Sequence, residues 1–189
     1  MEYWDYLLTL WSQLMSYTLI QTVTLTSDQN TVTFSSIPAT FDDLVIVSSV
    51  RNSAGNNNNT RVRFNGDTGS NYSSRLLYGT GSGVASYSET TTSFYAAEHP
   101  PSTYTANTFG NAAFYIPNYR SSVAKSMSAD SVVENNATAS WQQISAHLWN
   151  QTSAITSVSL FPAGNNFATN SSFSLYGITR GSSGGVVVS

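Results

Sequence analysis

The chain is 189 residues long, enough for one domain with a sizeable core, and 9% of it is charged against about 25% in an ordinary globular protein. Its polarity is neutral instead: 32 Ser, 22 Thr, 17 Asn and 6 Gln make up 77 of the 189 residues, around a net charge of −3. With no cysteine, a disulfide framework, a thiolate metal site and a cysteine nucleophile are excluded, and seven basic residues are too few for a groove that tracks phosphates.

Residues 1–15 carry the one convincing helical period. Trp4, Leu7, Trp11 and Leu14 recur at spacings of three and four, and Leu8 and Met15 widen the stripe. So few turns do not hold together alone in water, so the stripe must be buried against its own domain, against sister chains or against a docking partner. The acidic opening Met1-Glu2-Tyr3-Trp4-Asp5 does not read as an export signal, and no apolar run is long enough for a membrane-spanning helix.

From residue 16 to about 180 the pattern is that of strands. Thr18–Thr26 alternates, with Leu19, Gln21, Val23 and Leu25 on one face and Ile20 among the threonines on the other. Thr31–Phe34 follows a polar turn, and Leu44–Val50 reads as the most buried strand. Asn56–Asn59 reads as a loop tip and Arg61–Asn65 as a half-buried strand. Further strands are expected at Ser73–Tyr78, Val84–Tyr95, Phe109–Ile116, Ser122–Ala129, Ala139–Trp149, Ile155–Phe161 and Phe173–Thr179. Short strands with regular polar punctuation and no helical crossovers predict an all-β fold, an antiparallel β-sandwich of jelly-roll type with a short N-terminal helix. Residues 181–189 read as a Gly/Ser linker and a short apolar β tail, Val186–Val188, which either pairs with a sheet edge or frays.

The chemistry-bearing residues are sparse. His99 sits in the rigid Glu98-His99-Pro100-Pro101 segment, and His147 lies on the strand face opposite Leu148; neither stands in a nucleophile motif. Asp42 and Asp43 are adjacent and point to opposite sides of an extended chain, unlike a glycosidase pair. The segment Asn65–Asn71 has the oxygen-rich composition of a calcium loop but one carboxylate and no closing Glu, so it reads as a hydrogen-bonded turn. No catalytic residue, metal ligand or cofactor is expected, and the chain is read as a non-enzyme. What remains for recognition is aromatic: Tyr72, Tyr78, Tyr87, Phe94, Tyr95 and Tyr104 interleave with small polar residues, as on surfaces that use rigid aromatic anchors. Of these, Tyr72, Tyr87, Tyr95 and Tyr104 are the candidate surface recognition residues.

Phe34-Ser35-Ser36-Ile37-Pro38-Ala39-Thr40-Phe41-Asp42-Asp43-Leu44-Val45-Ile46, Val62–Tyr72, Ser153–Val158 with Phe161–Gly164, and Phe173–Ile178 together resemble small virion proteins of tailed bacteriophages. The resemblance implies a β-sandwich on the outside of a phage particle, in a tail fibre or tip or decorating the capsid. The expected partners are other virion proteins and a host-surface glycan, without nucleic acid or membrane insertion. The expectation is a homotrimer attached or assembled through Trp4, Leu7, Trp11 and Leu14, with a free carbohydrate-binding module as the competing class. Residues 1–14 depart from the pattern, since such domains usually begin near Met15-Ser16-Tyr17-Thr18.

Overall fold

The computed structural model describes residues 16–55, 59–136 and 140–180. The expected helix over residues 1–15 (with Trp4, Leu7, Trp11 and Leu14), the tail 181–189 and most of the Asn56–Asn59 loop lie outside the described residues.

The described chain is built from antiparallel strands: β1 Ser16–Thr24, β2 Val32–Phe34, β3 Asp43–Val50, β4 Asn59–Phe64, β5 Tyr72–Gly79, β6 Val84–Thr91, β7 Phe94–Glu98, β8 Gly110–Ile116, β9 Lys125–Val133, β10 Trp141–Trp149, β11 Val158–Pro162 and β12 Ser172–Thr179. They form two sheets, one of eight strands in the order β1-β12-β3-β8-β9-β10-β5-β6 and one of four in the order β2-β11-β4-β7. Alternation explains both: in β9 every second residue from Lys125 to Val133 is buried, while Ser126, Ser128 and Asp130 face solvent. The inward positions of the two sheets meet in one core containing Phe34, Leu44, Ile46, Phe64, Phe94, Phe114 and Phe173, so the fold is a β-sandwich.

Three local expectations are corrected. Val84–Tyr95 is not one strand: β6 ends at Thr91 in the long sheet and β7 begins at Phe94 in the short one. At the crossing, Arg63 Nε donates to the Thr92 carbonyl at 2.9 Å, which satisfies a main-chain acceptor that has left its ladder. In β1 the pairing slips between Leu19 and Gln21; Ile20 and Val23 pack on the core, and Leu19 is exposed. Leu44–Val50 is not the most buried strand: Val47 stands exposed on the outer face of the long sheet, whereas four of the five residues of β7 are buried.

Two positions show how tightly the backbone is specified. Asn65 and Gly66 both have positive φ, and the Asp67 amide donates to the Phe64 carbonyl at 3.0 Å, which closes a tight turn at the end of β4, where the chain crosses from the short sheet to the long one. A Cβ on Gly177 would fall 2.2 Å from the Phe41 ring, so only glycine lets that ring close over β12.

The sandwich has two ends. Ser16 pairs with Thr179 at one of them, so the described chain enters and leaves there, beside Asp43 and Arg180. The opposite end carries the Gly79–Val84 turn, the Pro100–Phe109 loop and the β9–β10 connection. Arg51 organises that loop: its guanidinium donates to the carbonyls of Ser102, Tyr104, Thr105 and Thr108.

Candidate functional site

The short sheet does not cover the whole long sheet. Its edge strand β7 lies over β9, β10 and β5, and beyond it the inner side of the β5–β6 hairpin projects free. The inward positions of β5 and β6 there are Leu76, Tyr78, Ala85, Tyr87 and Glu89. The side chains of β4 and β7 that face this ledge close it into a corner.

In that corner Arg61 forms an ion pair with Glu89, lies 4.8 Å from the centre of the Tyr95 ring, and donates from Nε to Asn59 Oδ1 at 3.0 Å. The Tyr87 hydroxyl donates to Glu89 Oε2 at 3.3 Å, and the Tyr87 and Tyr95 rings are 6.0 Å apart. The Tyr95 hydroxyl donates to Glu98 Oε1, and the Glu98 amide is held by Ser131 Oγ at 3.0 Å. Tyr78 stacks on Trp141 at 4.4 Å with an interplanar angle of 13°. Beside this stack is a cleft of about 250 Å³ walled by Gly79, Gly81, Glu134, Ser140, Trp141 and Gln142.

The electrostatics of the corner are set by burial. Glu98 is 2% exposed, and removal from water pushes its carboxyl up to about 8, against the pull of the Tyr95 hydroxyl and the Arg61 charge. It is therefore mostly protonated at neutral pH. Burial, then the Glu98 charge, raises the Tyr95 hydroxyl as well. Among the described residues, Glu98 Oε2, Gln143 Oε1 and Trp141 Nε1 are buried without a hydrogen-bond partner. The corner thus offers aromatic faces, one neutralised guanidinium and polar groups, but no net charge strong enough to select an ionic ligand.

The sequence candidates fall on different places. Tyr87 is 47% exposed and Tyr95 half-buried, and the structure brings these two together. Tyr104 sits apart, in the loop clamped by Arg51. Tyr72 is a correction: it is 0% exposed, packed edge-on to Phe94 at 4.9 Å, with its hydroxyl bonded to the Phe64 backbone and the Asp67 carbonyl. It opens β5 on the inward side, so it belongs to the core and does not serve as a surface contact. Arg61, Glu89, Glu98 and Trp141 were not singled out for recognition by the sequence.

The other chemistry-bearing residues are occupied structurally. His147 Nδ1 lies 3.0 Å from Ser74 Oγ and Nε2 lies 2.8 Å from Ser145 Oγ, distances that suit a nucleophile and its base. Both hydroxyls are themselves buried, and Ser74 Oγ also accepts the Tyr95 amide at 3.1 Å. Burial pushes His147 and His99 down to about 3, so both are neutral at neutral pH. His99 Nδ1 is 2.9 Å from the Thr60 hydroxyl. Asp67 accepts from the Gly69 amide, Asn71 Nδ2 and Trp149 Nε1 at 2.7 to 2.9 Å, which is the hydrogen-bonded turn reading of Asn65–Asn71. Among the described residues no group of three or more His, Asp or Glu is placed to hold a metal ion.

No family model, no curated protein and no solved structure matches the chain.

Proposed function

We propose that the chain is a virion structural protein of a tailed bacteriophage, a trimeric jelly-roll-type head in a tail fibre or tip that contacts the host surface. The observation that carries this reading is the polarity of the sandwich. The described chain enters and leaves at one end, and the aromatic corner of Tyr78, Tyr87, Tyr95 and Trp141 lies toward the other. A head anchored through residues 1–15 then presents that corner outward. Stacked rings beside hydroxyl and amide groups suit the apolar faces and hydroxyl rims of a neutral glycan. The sequence blocks that resemble phage virion proteins support the same setting.

A second reading, capsid decoration, is favoured by the outer face of the long sheet. Val47, Tyr115, Ile144 and Leu77 stand exposed on it, a broad face suited to lying on a lattice of capsid subunits. Immunogold labelling of intact particles with antibody to the full chain separates the two. Label at the tail tip supports the proposal, label over the capsid replaces it with decoration, and label on no particle removes both.

A further inference from the structure

Among the described residues the sandwich has four sheet edges, and three of them are protected against adding another strand. β1 carries a slip in register at Leu19/Gln21, β2 is three residues long, and β7 carries a slip at Thr60/Arg61 and is packed over β9 and β10. Bulges, short length and coverage are the usual means of blunting an edge. β6 has none of them. It pairs with β5 over eight residues in unbroken register, from Tyr72↔Thr91 to Gly79↔Val84. It contains no Pro, no Lys or Arg and one Glu, and both its faces are largely open to solvent, with Val84 77% exposed. Its outward-pointing backbone groups form a ready template for another strand.

The sequence of β6 indicates what that strand is. Read about Tyr87, Val84-Ala85-Ser86-Tyr87-Ser88-Glu89-Thr90 is close to a palindrome: Ser flanks Tyr on both sides, and a β-branched residue stands at each end. Two antiparallel copies related by a two-fold axis normal to the sheet keep inner positions opposite inner and outer opposite outer. Centred on Tyr87, this places Tyr87 against Tyr87, Ser86 against Ser88, Val84 against Thr90, and Glu89 against Ala85, so the carboxylates never oppose each other. Cross-strand hydroxyl pairs of this kind already occur inside both sheets, Thr22 with Ser174 and Thr33 with Ser159, each at 2.9 Å. The exposed apolar side chains beside this edge, Leu77, Val84 and Ile144, line a groove of about 280 Å³ that the second sheet would extend and partly cover.

We propose that β6 is an interaction edge for a second copy of this chain, joining two eight-stranded sheets into one continuous sheet through antiparallel β6–β6 pairing centred on Tyr87. The contact uses no residue of the N-terminal segment, so it does not depend on the trimer or on the host-surface reading. Combined with a trimer it links two heads, and it brings the two Tyr87–Tyr95 corners side by side.

The test uses the full chain and its particle mass over a concentration series. Ser86→Lys with Ser88→Lys, at two exposed positions, sets lysines of the two copies opposite one another, and the pairing predicts a twofold lower mass with unchanged circular dichroism. Because the chain has no cysteine, Tyr87→Cys predicts a disulfide-linked dimer under mild oxidation, since directly opposed residues lie within bridging distance. Val84→Cys predicts none, because its copies sit about 20 Å apart in this register. The proposal is overturned if the double lysine variant keeps the mass of the native chain, or if Tyr87→Cys cross-links no better than Val84→Cys.

Discussion

At the end of the sandwich where the described chain enters and leaves, Asp43 is 2% exposed and ionised; toward the opposite end Glu98 is equally buried and keeps its proton. Burial works against both charges. What differs is the number of donors aimed at each. Asp43 receives Arg180 Nε at 2.9 Å, the Asn118 amide at 2.8 Å and the Tyr115 hydroxyl at 3.0 Å, and these outweigh desolvation and hold its carboxyl below the ordinary range. Glu98 receives one hydroxyl, from Tyr95, while the Arg61 guanidinium is already committed to Glu89. Desolvation then wins. In a chain this poor in charge, a buried group stays ionised only with a dedicated set of partners, and the end with Ser16 and Thr179 has them.

The largest effect is expected from removing the well-partnered carboxylate. Asp43→Ala leaves the Asn118 amide and the Tyr115 hydroxyl without their acceptor, and it strips Arg180 of its ion pair. Because the guanidinium is partly exposed and can be rehydrated, the loss is about 2–3 kcal/mol and not the full cost of a stranded buried charge. Urea unfolding at pH 7 measures it. A loss as small as that of a surface substitution would show that the donors, and not the ion, hold this end together.

Glu98 makes the contrasting prediction, in pH dependence. Its folded pKa of about 8 lies above its ordinary 4.5, so the folded chain keeps a proton that the unfolded chain releases. Its stabilising contribution is complete below pH 4.5 and is lost as pH rises to about 8, at up to about 1.4 kcal/mol per pH unit. His99 and His147 act on the other side: their pKa values of about 3 lie below the ordinary 6.5, so stability is lost as pH falls from 6.5 toward 3. Asp43 and Asp67, both held low, add to the acid limb. Stability should therefore peak near pH 6.5. Glu98→Gln, a neutral replacement of similar shape, should flatten the alkaline limb while changing stability at pH 6 by about 1 kcal/mol or less. Thermal midpoints from pH 4 to 9 decide it; an alkaline limb that survives the substitution contradicts a protonated Glu98.

The strands were legible because burial on one face writes a period of two into the sequence, and Arg61–Asn65, Phe109–Ile116 and Phe173–Thr179 fall within a residue or two of β4, β8 and β12. The split of Val84–Tyr95 was also written there, in a change of parity. Tyr87 faces inward at an odd position, whereas Phe94 and Ala96 face inward at even ones, which no single strand permits. Tyr72 misled because aromatic crowding reads the same whether the rings line a core or a surface; its spacing with Ser74 and Leu76 was the local sign that it points inward. The corner itself was not legible. Arg61, Glu89 and Glu98 meet because β4 and β7 pair in one sheet while β6 ends the other, and no local pattern encodes that juxtaposition.

The smallest effect separates the donor from the burial. Tyr95→Phe removes the one hydroxyl that donates to Glu98 and leaves the ring under Arg61 in place. A protonated carboxyl loses one hydrogen bond, so stability at pH 6 should fall by about 1 kcal/mol. The ionised form loses a charge-assisted bond, which is worth more. The titration of Glu98 should therefore move upward, and the alkaline decline in stability should move with it to higher pH. At the Asp43 end the corresponding change, Tyr115→Phe, removes one of several donors to Asp43 and should leave the acid limb nearly where it was. If the two phenylalanine variants shift their limbs equally, the number of donors is not what distinguishes the two ends, and the local shape of the solvent boundary must account for it instead.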